Sequence, residues 1–156
     1  LFFLQEFDKA AEIYLQGTKL TPNENIIWGN LGDSYKYSST QQDKARSAYQ
    51  TALDLALVKL NIDSTDESVQ SQVARYYSEL GHCSFAETYR NKAIVKESID
   101  PYIYYSLALV ALNCDQFNQA REMIDLTIKH GYSKQLLLAD PQFLAYKEVL
   151  TNLFNE

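Results

Sequence analysis

The sequence predicts an all-α protein built from repeated helix pairs, and three observations indicate this fold. The 156 residues include only 5 glycines and 3 prolines, too few turn-forming residues for an all-β domain of this length. Hydrophobic residues make up 46% of the chain and charged residues 22%, a balance typical of one folded globular unit. Four marker alanines recur at intervals of 35, 41 and 34 residues: Ala10, Ala45, Ala86 and Ala120. A period near 34 residues is typical of helix–turn–helix repeats.

Small and large side chains alternate at helical spacing within each copy of the repeat. The second copy is the most complete, with Trp28, Leu31, Gly32, Tyr35, Ala45, Tyr49 and Ala52. Small residues are needed where two helices approach closely, and an aromatic ring fills the adjacent gap. The first copy keeps only its second helix, with Ala10, Tyr14 and Gly17. In the third copy Arg90 stands where an aromatic residue is expected, and in the fourth Thr127 replaces the last small residue.

In chain order, the pattern predicts a lone second helix over residues 8–20 and then three helix pairs. The pairs cover residues 24–38 with 42–60, 67–80 with 84–97, and 101–113 with 117–130. The longer second interval predicts about two extra helical turns after Ala52, followed by a polar break. Thr65 or Asp66 is expected to cap the next helix, Pro22 and Pro101 to lie at or just before helix starts, and Gly131 to end the last one.

A different pattern begins after the last repeat. Leucines at 136–138, then Asp140-Pro141-x-Phe143-Leu144 and a further apolar stretch at 149–154, predict short helices. An array of repeats leaves one apolar face open at its end, so we expect these helices to cover the last repeat.

The repeat residues resemble the tetratricopeptide repeat from Phe7 to about His130. This resemblance implies a right-handed α–α superhelix with C-terminal capping helices. It implies one domain over residues 1–156, with a partial repeat at 1–22, repeats at 23–62, 63–100 and 101–131, and a cap at 132–156. Gly131-Tyr132 followed by Asp140-Pro141-x-Phe143 resembles the tail after such arrays in large bacterial signalling proteins, where a protein-kinase, winged-helix or cyclase-like domain precedes the array.

The residues that catalysis or metal binding needs are scarce. His82 and His130 are the only histidines, and Cys83 and Cys114 lack the C-x-x-C spacing of a metal or redox site. His82 lies in a predicted turn and His130 in a last helical turn, where it complements the helix dipole. We expect two unpaired thiols, with a disulfide between neighbouring turns as the alternative in an oxidising compartment. The sequence predicts no enzyme, no metal and no cofactor.

The net charge of −6 provides no large positive field for phosphates, so nucleic acid is not an expected partner of this segment. A protein or peptide is expected instead, in the concave groove that the first helices of successive repeats line in the resembled family. Eight side chains are the candidates: Asn30, Asp33, Tyr37, Gln72, Arg75, Tyr76, Tyr102 and Tyr105. We expect the amides to hydrogen-bond a peptide, the tyrosines to stack on it and Arg75 to anchor an acidic group.

Three alternatives stay open for this groove: a solvated surface, a groove filled by the chain's own end, and a groove filled by another copy. A chaperone-type carboxylate clamp is not predicted, because the first helices of the second and fourth copies lack the basic residues it needs. The leading hypothesis is a non-enzymatic protein–protein interaction scaffold.

The second hypothesis is a regulatory or sensor segment of a larger bacterial signalling protein, a Ser/Thr kinase or a transcription regulator, acting by intramolecular or homodimeric contacts. The chain begins with Leu1 inside an apolar pattern, so we expect a piece of a longer protein. No stretch is free of charge for long enough to insert into a membrane. A cytoplasmic location is expected, or a periplasmic one if an export or membrane segment precedes Leu1.

Overall fold

The computed structural model describes residues 1–2, 5–144, 146 and 151. All regular structure in these residues is helical, and no strand occurs among them, which confirms the all-α prediction. The α-helices are α1 (Phe7–Leu20), α2 (Asn25–Tyr37), α3 (Ala45–Ile62), α4 (Glu67–Glu79), α5 (Cys83–Ala93), α6 (Pro101–Asn113), α7 (Phe117–Lys129), α8 (Lys134–Ala139) and α9 (Pro141–Leu144). A 3₁₀ turn, Gln42–Lys44, leads into α3.

The chain forms two compact units, Leu1–Ser64 (unit 1) and Thr65–Glu156 (unit 2). In unit 1, α2 packs against both α1 and α3. In unit 2, α4 packs against α5 and α6 packs against α7. The first helices of these two pairs, α4 and α6, also pack against each other. The three helix pairs predicted from the spacing are therefore present, one in unit 1 and two in unit 2.

The helix ends reflect local side-chain chemistry. The carboxylate of Asp66 accepts a hydrogen bond from the backbone N–H of Val69 at 3.0 Å, which confirms it as the cap of α4. Asp100 caps α6 in the same way, with Pro101 in the first turn. After α7, Gly131 has a φ of 100°, a left-handed conformation that favours glycine, so the predicted stop lies where expected.

Helices α3 and α5 differ from their predicted bounds by more than one residue. Helix α3 reaches Ile62, which confirms the extra turns and adds two residues. Helix α5 ends at Ala93 rather than at residue 97. The residues that follow α5 include a turn that the Tyr104 hydroxyl holds: it accepts from the backbone N–H of Ser98 and donates to the Ser98 carbonyl, each at 3.0 Å. This turn holds residue 98 in a non-helical conformation against α6.

The small–large pattern is visible in the packing of unit 1. A Cβ on Gly32 of α2 would lie 2.7 Å from ring carbons of Tyr49 on α3, so only glycine fits there without a shift. In unit 2 the core includes Leu107 of α6 and Ile124 of α7. Leu137 of α8 and Phe143 of α9 are fully buried in the same cluster. The two short C-terminal helices are therefore part of the hydrophobic core of unit 2.

Cys83 and Cys114 form a disulfide, so the prediction of two unpaired thiols was wrong. Cys83 is the first residue of α5, and Cys114 is the residue that ends α6. The packing of α5 against α6 brings their Cα atoms to 5.8 Å, within the range that a disulfide spans. The sequence could not show this distance, because it depends on how the two neighbouring repeats stack.

Candidate functional site

On unit 1, the three predicted groove residues lie on α2. Asp33 is buried, and its carboxylate accepts a hydrogen bond from the Tyr49 hydroxyl at 2.7 Å. This hydrogen bond joins α2 to α3. Asp33 is therefore a packing residue, whereas the prediction placed it in a groove facing a partner. Tyr37 is half-buried against the rings of Phe2 and Phe7, with ring centroids at 5.9 and 5.5 Å. Asn30 is half-buried, and its backbone carbonyl accepts a hydrogen bond from the Ser34 hydroxyl at 2.9 Å.

On unit 2, the α4 candidates have different surroundings. Tyr76 is buried and therefore belongs to the interior, contrary to the prediction. Gln72 is half-buried and its amide donates to the Ser68 hydroxyl at 3.3 Å. Arg75 is also buried, and its guanidinium Nη2 donates to the side-chain oxygen of Gln142 at 2.8 Å. The predicted cation is therefore occupied by a residue of the chain's own C-terminal part.

The remaining candidates, Tyr102 and Tyr105, lie one turn apart on α6. Tyr102 is 65% exposed and is the most accessible of the predicted aromatic residues. The hydroxyl of Tyr105 donates to a carboxylate oxygen of Asp140 at 2.6 Å and accepts from the side-chain amide of Gln142 at 3.0 Å. We call the side of unit 2 that carries Arg75, Tyr102 and Tyr105 the α4/α6 face.

A C-terminal segment, residues 133–144, lies on the α4/α6 face. Besides the contacts of Asp140 and Gln142, the buried ring of Phe143 meets the ring of Tyr105 edge-on at 5.5 Å. Two of the predicted groove residues, Arg75 and Tyr105, are thus contacted by a later part of the chain itself. Beyond the expected cover of the last repeat, Gln142 also contacts α4 of the preceding helix pair.

Asp140 fixes the conformation of the segment as well as its contact with the face. One of its carboxylate oxygens accepts from the backbone N–H of Gln142 at 2.9 Å and so caps α9, while the other accepts from Tyr105. Pro141 opens α9, a position where its missing N–H costs nothing. Asp140 is fully buried and both of its side-chain oxygens are hydrogen-bonded, as a buried polar group requires.

Tyr132 packs against both tyrosines of the α4/α6 face. Its ring stacks on Tyr105 at 5.4 Å and meets Tyr102 edge-on at 5.8 Å. Burial, then the nearby charge of Asp140 and finally Tyr102, raise the pKa of Tyr132 to about 12. Tyr132 is therefore a neutral phenol at physiological pH, and it acts by ring packing rather than by proton transfer.

The two histidines have structural surroundings. The ring of His130 stacks on Tyr104 at 5.2 Å, at the C-terminal end of α7, and the ring of His82 lies 6.4 Å from that of Tyr77. Within the described part of the chain, no three His, Cys, Asp or Glu side chains lie close enough together to hold a metal ion. The same residues contain no helix that is both long and apolar enough to span a membrane.

Sequence reasoning missed the contact roles of Asp140, Gln142 and Tyr132. The Asp140-Pro141-x-Phe143 pattern was a visible signal for a short capped helix, yet nothing in it indicates where that helix docks. The Arg75–Gln142 hydrogen bond joins residues 67 positions apart, so its register depends on the complete packing of α4 to α8.

Comparison with known proteins adds no assignment. A scan against protein-family models finds none that matches the chain, and a search of curated proteins finds no match either. The resemblance to the tetratricopeptide repeat therefore stays a prediction that depends on residue spacing.

Proposed function

We propose that the chain is a non-enzymatic protein-interaction module of the tetratricopeptide type that binds a peptide or a protein surface. One observation carries the proposal. The α4/α6 face holds a short peptide segment, the chain's own residues 140–143, through one buried aromatic ring and hydrogen bonds from Arg75 and Tyr105. A buried aromatic anchor with a few directed hydrogen bonds is how grooves of this kind recognise peptides.

The chemistry of the described side chains supports binding rather than turnover. Hydrogen bonds link Arg75, Tyr105, Asp140 and Gln142, and both cysteines are held in a disulfide. A nucleophilic mechanism needs a thiol or hydroxyl next to a base, and a disulfide sulfur is not such a nucleophile. The net charge of −6 favours neutral or basic partners over nucleic acid.

Tyr102 is the proposed point of contact for a partner. Its ring is 65% exposed and its edge is held by Tyr132, so little side-chain freedom is lost on binding. Asn30 on unit 1 is proposed as a second contact point on its own unit.

Affinity capture with matched variants tests this proposal. The native chain, Tyr102→Ser and Phe85→Ser serve as baits, because Phe85 on α5 is similarly exposed at 58% and lies outside the α4/α6 face. A protein held by the native chain and by Phe85→Ser but lost from Tyr102→Ser, and then bound directly after purification, supports the proposal. Equal retention by all three baits would place the binding site elsewhere, and no retained protein would contradict an adaptor role.

A second candidate function is favoured by the same segment. In this view the chain is a regulatory segment of a larger bacterial signalling protein and acts by intramolecular or homodimeric contacts. The occupied α4/α6 face supports it, since this contact is intramolecular. A molar mass that rises with concentration would favour the homodimeric form, and a monomer with a tight heterologous ligand would contradict it.

The disulfide supports an oxidising compartment, which is the periplasmic alternative rather than the cytoplasmic one. Disulfides persist in such compartments and are rare where thiols are kept reduced. Alkylation of the protein in intact cells, followed by mass spectrometry, checks this: unmodified Cys83 and Cys114 before reduction support it, and alkylated thiols contradict it.

A further inference from the structure

The contact between the C-terminal segment and the α4/α6 face buries more polar side chains than a simple end cap needs. A cap covers an open apolar surface with apolar side chains and keeps its polar side chains on its outer face. Here Arg75, Asp140 and Gln142 are all buried at the contact, and the Tyr105 hydroxyl takes part in two hydrogen bonds to the segment. Directed hydrogen bonds of this kind confer specificity for a particular sequence, because a wrong residue leaves a buried polar group unsatisfied.

The segment is also weakly structured by itself. Helix α8 has 6 residues and α9 has 4, both far below the length at which a helix is stable alone in water. Their order therefore depends on Leu137, on Phe143 and on the polar contacts with the face. Segments that depend on few tertiary contacts open with lower free energy than the helices that hold them.

We propose that residues Asp140–Phe143 are an intramolecular ligand of the α4/α6 face, and that the external partner of this face is a peptide of the same chemistry. Such a peptide presents a carboxylate for the Tyr105 hydroxyl, an amide two residues later for Arg75 and Tyr105, and an aromatic ring directly after it. This inference deepens the proposed function and rests on it. It adds that the chain occupies its own binding surface until a partner replaces the segment.

Competition sets the strength of partner binding. The turn at Gly131-Tyr132-Ser133 ties the segment to α7, so its concentration at the face is in the millimolar range expected for a short tether. A free peptide of the same sequence therefore binds the native chain weakly. It binds more tightly once the contacts of the tethered copy are weakened.

Amide hydrogen exchange on the unmodified full chain provides the first test. The N–H groups of Leu137, Gln142 and Phe143 are hydrogen-bonded within the segment, to Ser133, Asp140 and Asp140 respectively. We expect them to exchange at least about tenfold faster than the slowest amides of α6, through an opening of the segment alone. Exchange at the same rate as those α6 amides would overturn the proposal, because the segment would then open only when unit 2 unfolds.

Binding of a labelled synthetic peptide of residues 134–144 provides the second test. The receptors are the native chain and Asp140→Ala/Gln142→Ala, a variant that keeps Phe143 in the core. We expect the peptide to bind the variant at least about tenfold more tightly than it binds the native chain. A control peptide with the same two alanines is expected not to bind. Adding Tyr105→Phe to the variant receptor is expected to abolish binding of the unmodified peptide.

The outcomes separate this inference from the proposed function. Equal peptide binding to both receptors, or binding to neither, would overturn the intramolecular-ligand proposal, while a protein partner lost only from Tyr102→Ser would still support an interaction module. Dimerisation of the native chain without peptide would identify a second copy as the occupant and would overturn the partner proposed here.

Discussion

In unit 1 the buried Asp33 receives its hydrogen bond from Tyr49, 16 residues later in the same helix pair, whereas in unit 2 the buried Arg75 binds Gln142, 67 residues later. Both side chains were predicted to line a groove. The first is satisfied within its own repeat, and the second depends on a segment beyond the last repeat. Repeats of similar sequence pattern therefore bury such a side chain in different ways, one within its own helix pair and the other through a segment beyond the last repeat.

The helix pairs of the two units are also held differently. Unit 1 uses a ring against a glycine, with Tyr49 filling the gap at Gly32. At the equivalent position of the third copy, unit 2 has the buried Arg90, which donates to Asn91 rather than filling a gap with a ring. Unit 2 has a covalent link instead, since the Cys83–Cys114 disulfide joins α5 to α6. Unit 1 is thus held by packing and unit 2 in part by a cross-link.

The largest expected effect comes from removing that cross-link. The double variant Cys83→Ser/Cys114→Ser frees a loop of 31 residues in the unfolded chain, so we expect the free energy of unfolding of unit 2 to fall by about 3 to 4 kcal/mol. Amide exchange of α4–α7, measured against that of α1–α3, locates the loss. The native chain under reducing conditions is the control and should match the variant. Unchanged exchange in α4–α7 would show that the disulfide does not distinguish the two units.

The next effect concerns the packing of unit 1. Gly32→Ala places a Cβ 2.7 Å from the Tyr49 ring, which is buried and cannot move freely, so we expect a loss of about 1 to 3 kcal/mol. Gly17→Ala is the matched control, because its Cβ meets only the Ile27 side chain, at 3.1 Å, and alanine favours the helix. Urea denaturation compares the two variants. Equal stability of the two variants would contradict the explanation that the Tyr49 ring requires a glycine at position 32.

A smaller effect distinguishes the N-terminal cap of α2 in unit 1 from that of α4 in unit 2. Asp66 accepts from the Val69 N–H at 3.0 Å, whereas the Glu24 carboxylate lies at 3.5 Å from the Ile26 N–H of α2. Asp66→Ala is expected to cost about 1 kcal/mol. Glu24→Ala is expected to cost less, since its ion pair with Lys59 is partly exposed. Thermal denaturation of both variants measures the difference, and a greater loss from Glu24→Ala would reverse the comparison.

Much of the fold was predictable because the responsible signals are local. The marker alanines indicated the helix pairs, and Asp66, Pro101 and Gly131 indicated helix ends, since caps and small–large contacts within a pair involve residues close in sequence. The end of α5 was predicted four residues too late, and the pattern of α5 gave no sign of the hydrogen bonds between Ser98 in the following turn and Tyr104 of the next helix.

The candidate site was less predictable than the fold. Tyr102 has the exposure expected of a binding residue, but Tyr76 is buried, and Arg75 and Tyr105 are occupied by residues 140–142. Helical spacing predicts which side of α4 and α6 a residue occupies, and it carries no information on a segment that packs there later. The disulfide was missed for the same physical reason, since it depends on how neighbouring repeats stack.

The effect that is smallest at neutral pH appears only at alkaline pH and concerns Tyr132 of unit 2. The pKa of Tyr132 in the folded chain is about 12, above the value near 10 of an exposed tyrosine, so the folded state holds this proton more tightly than the unfolded state. The stabilisation is fully present below pH 10 and is lost as the pH rises from 10 to 12. In unit 1, burial raises the pKa of Tyr35, and burial followed by the charge of Asp33 raises that of Tyr14. Tyr132→Phe should therefore flatten the decline of the melting temperature between pH 10 and 12, and should remove one late-titrating phenol from the tyrosinate absorbance. A decline of the same slope in Tyr132→Phe would show that the packing of Tyr132 beside Asp140 does not set the alkaline limit of unit 2.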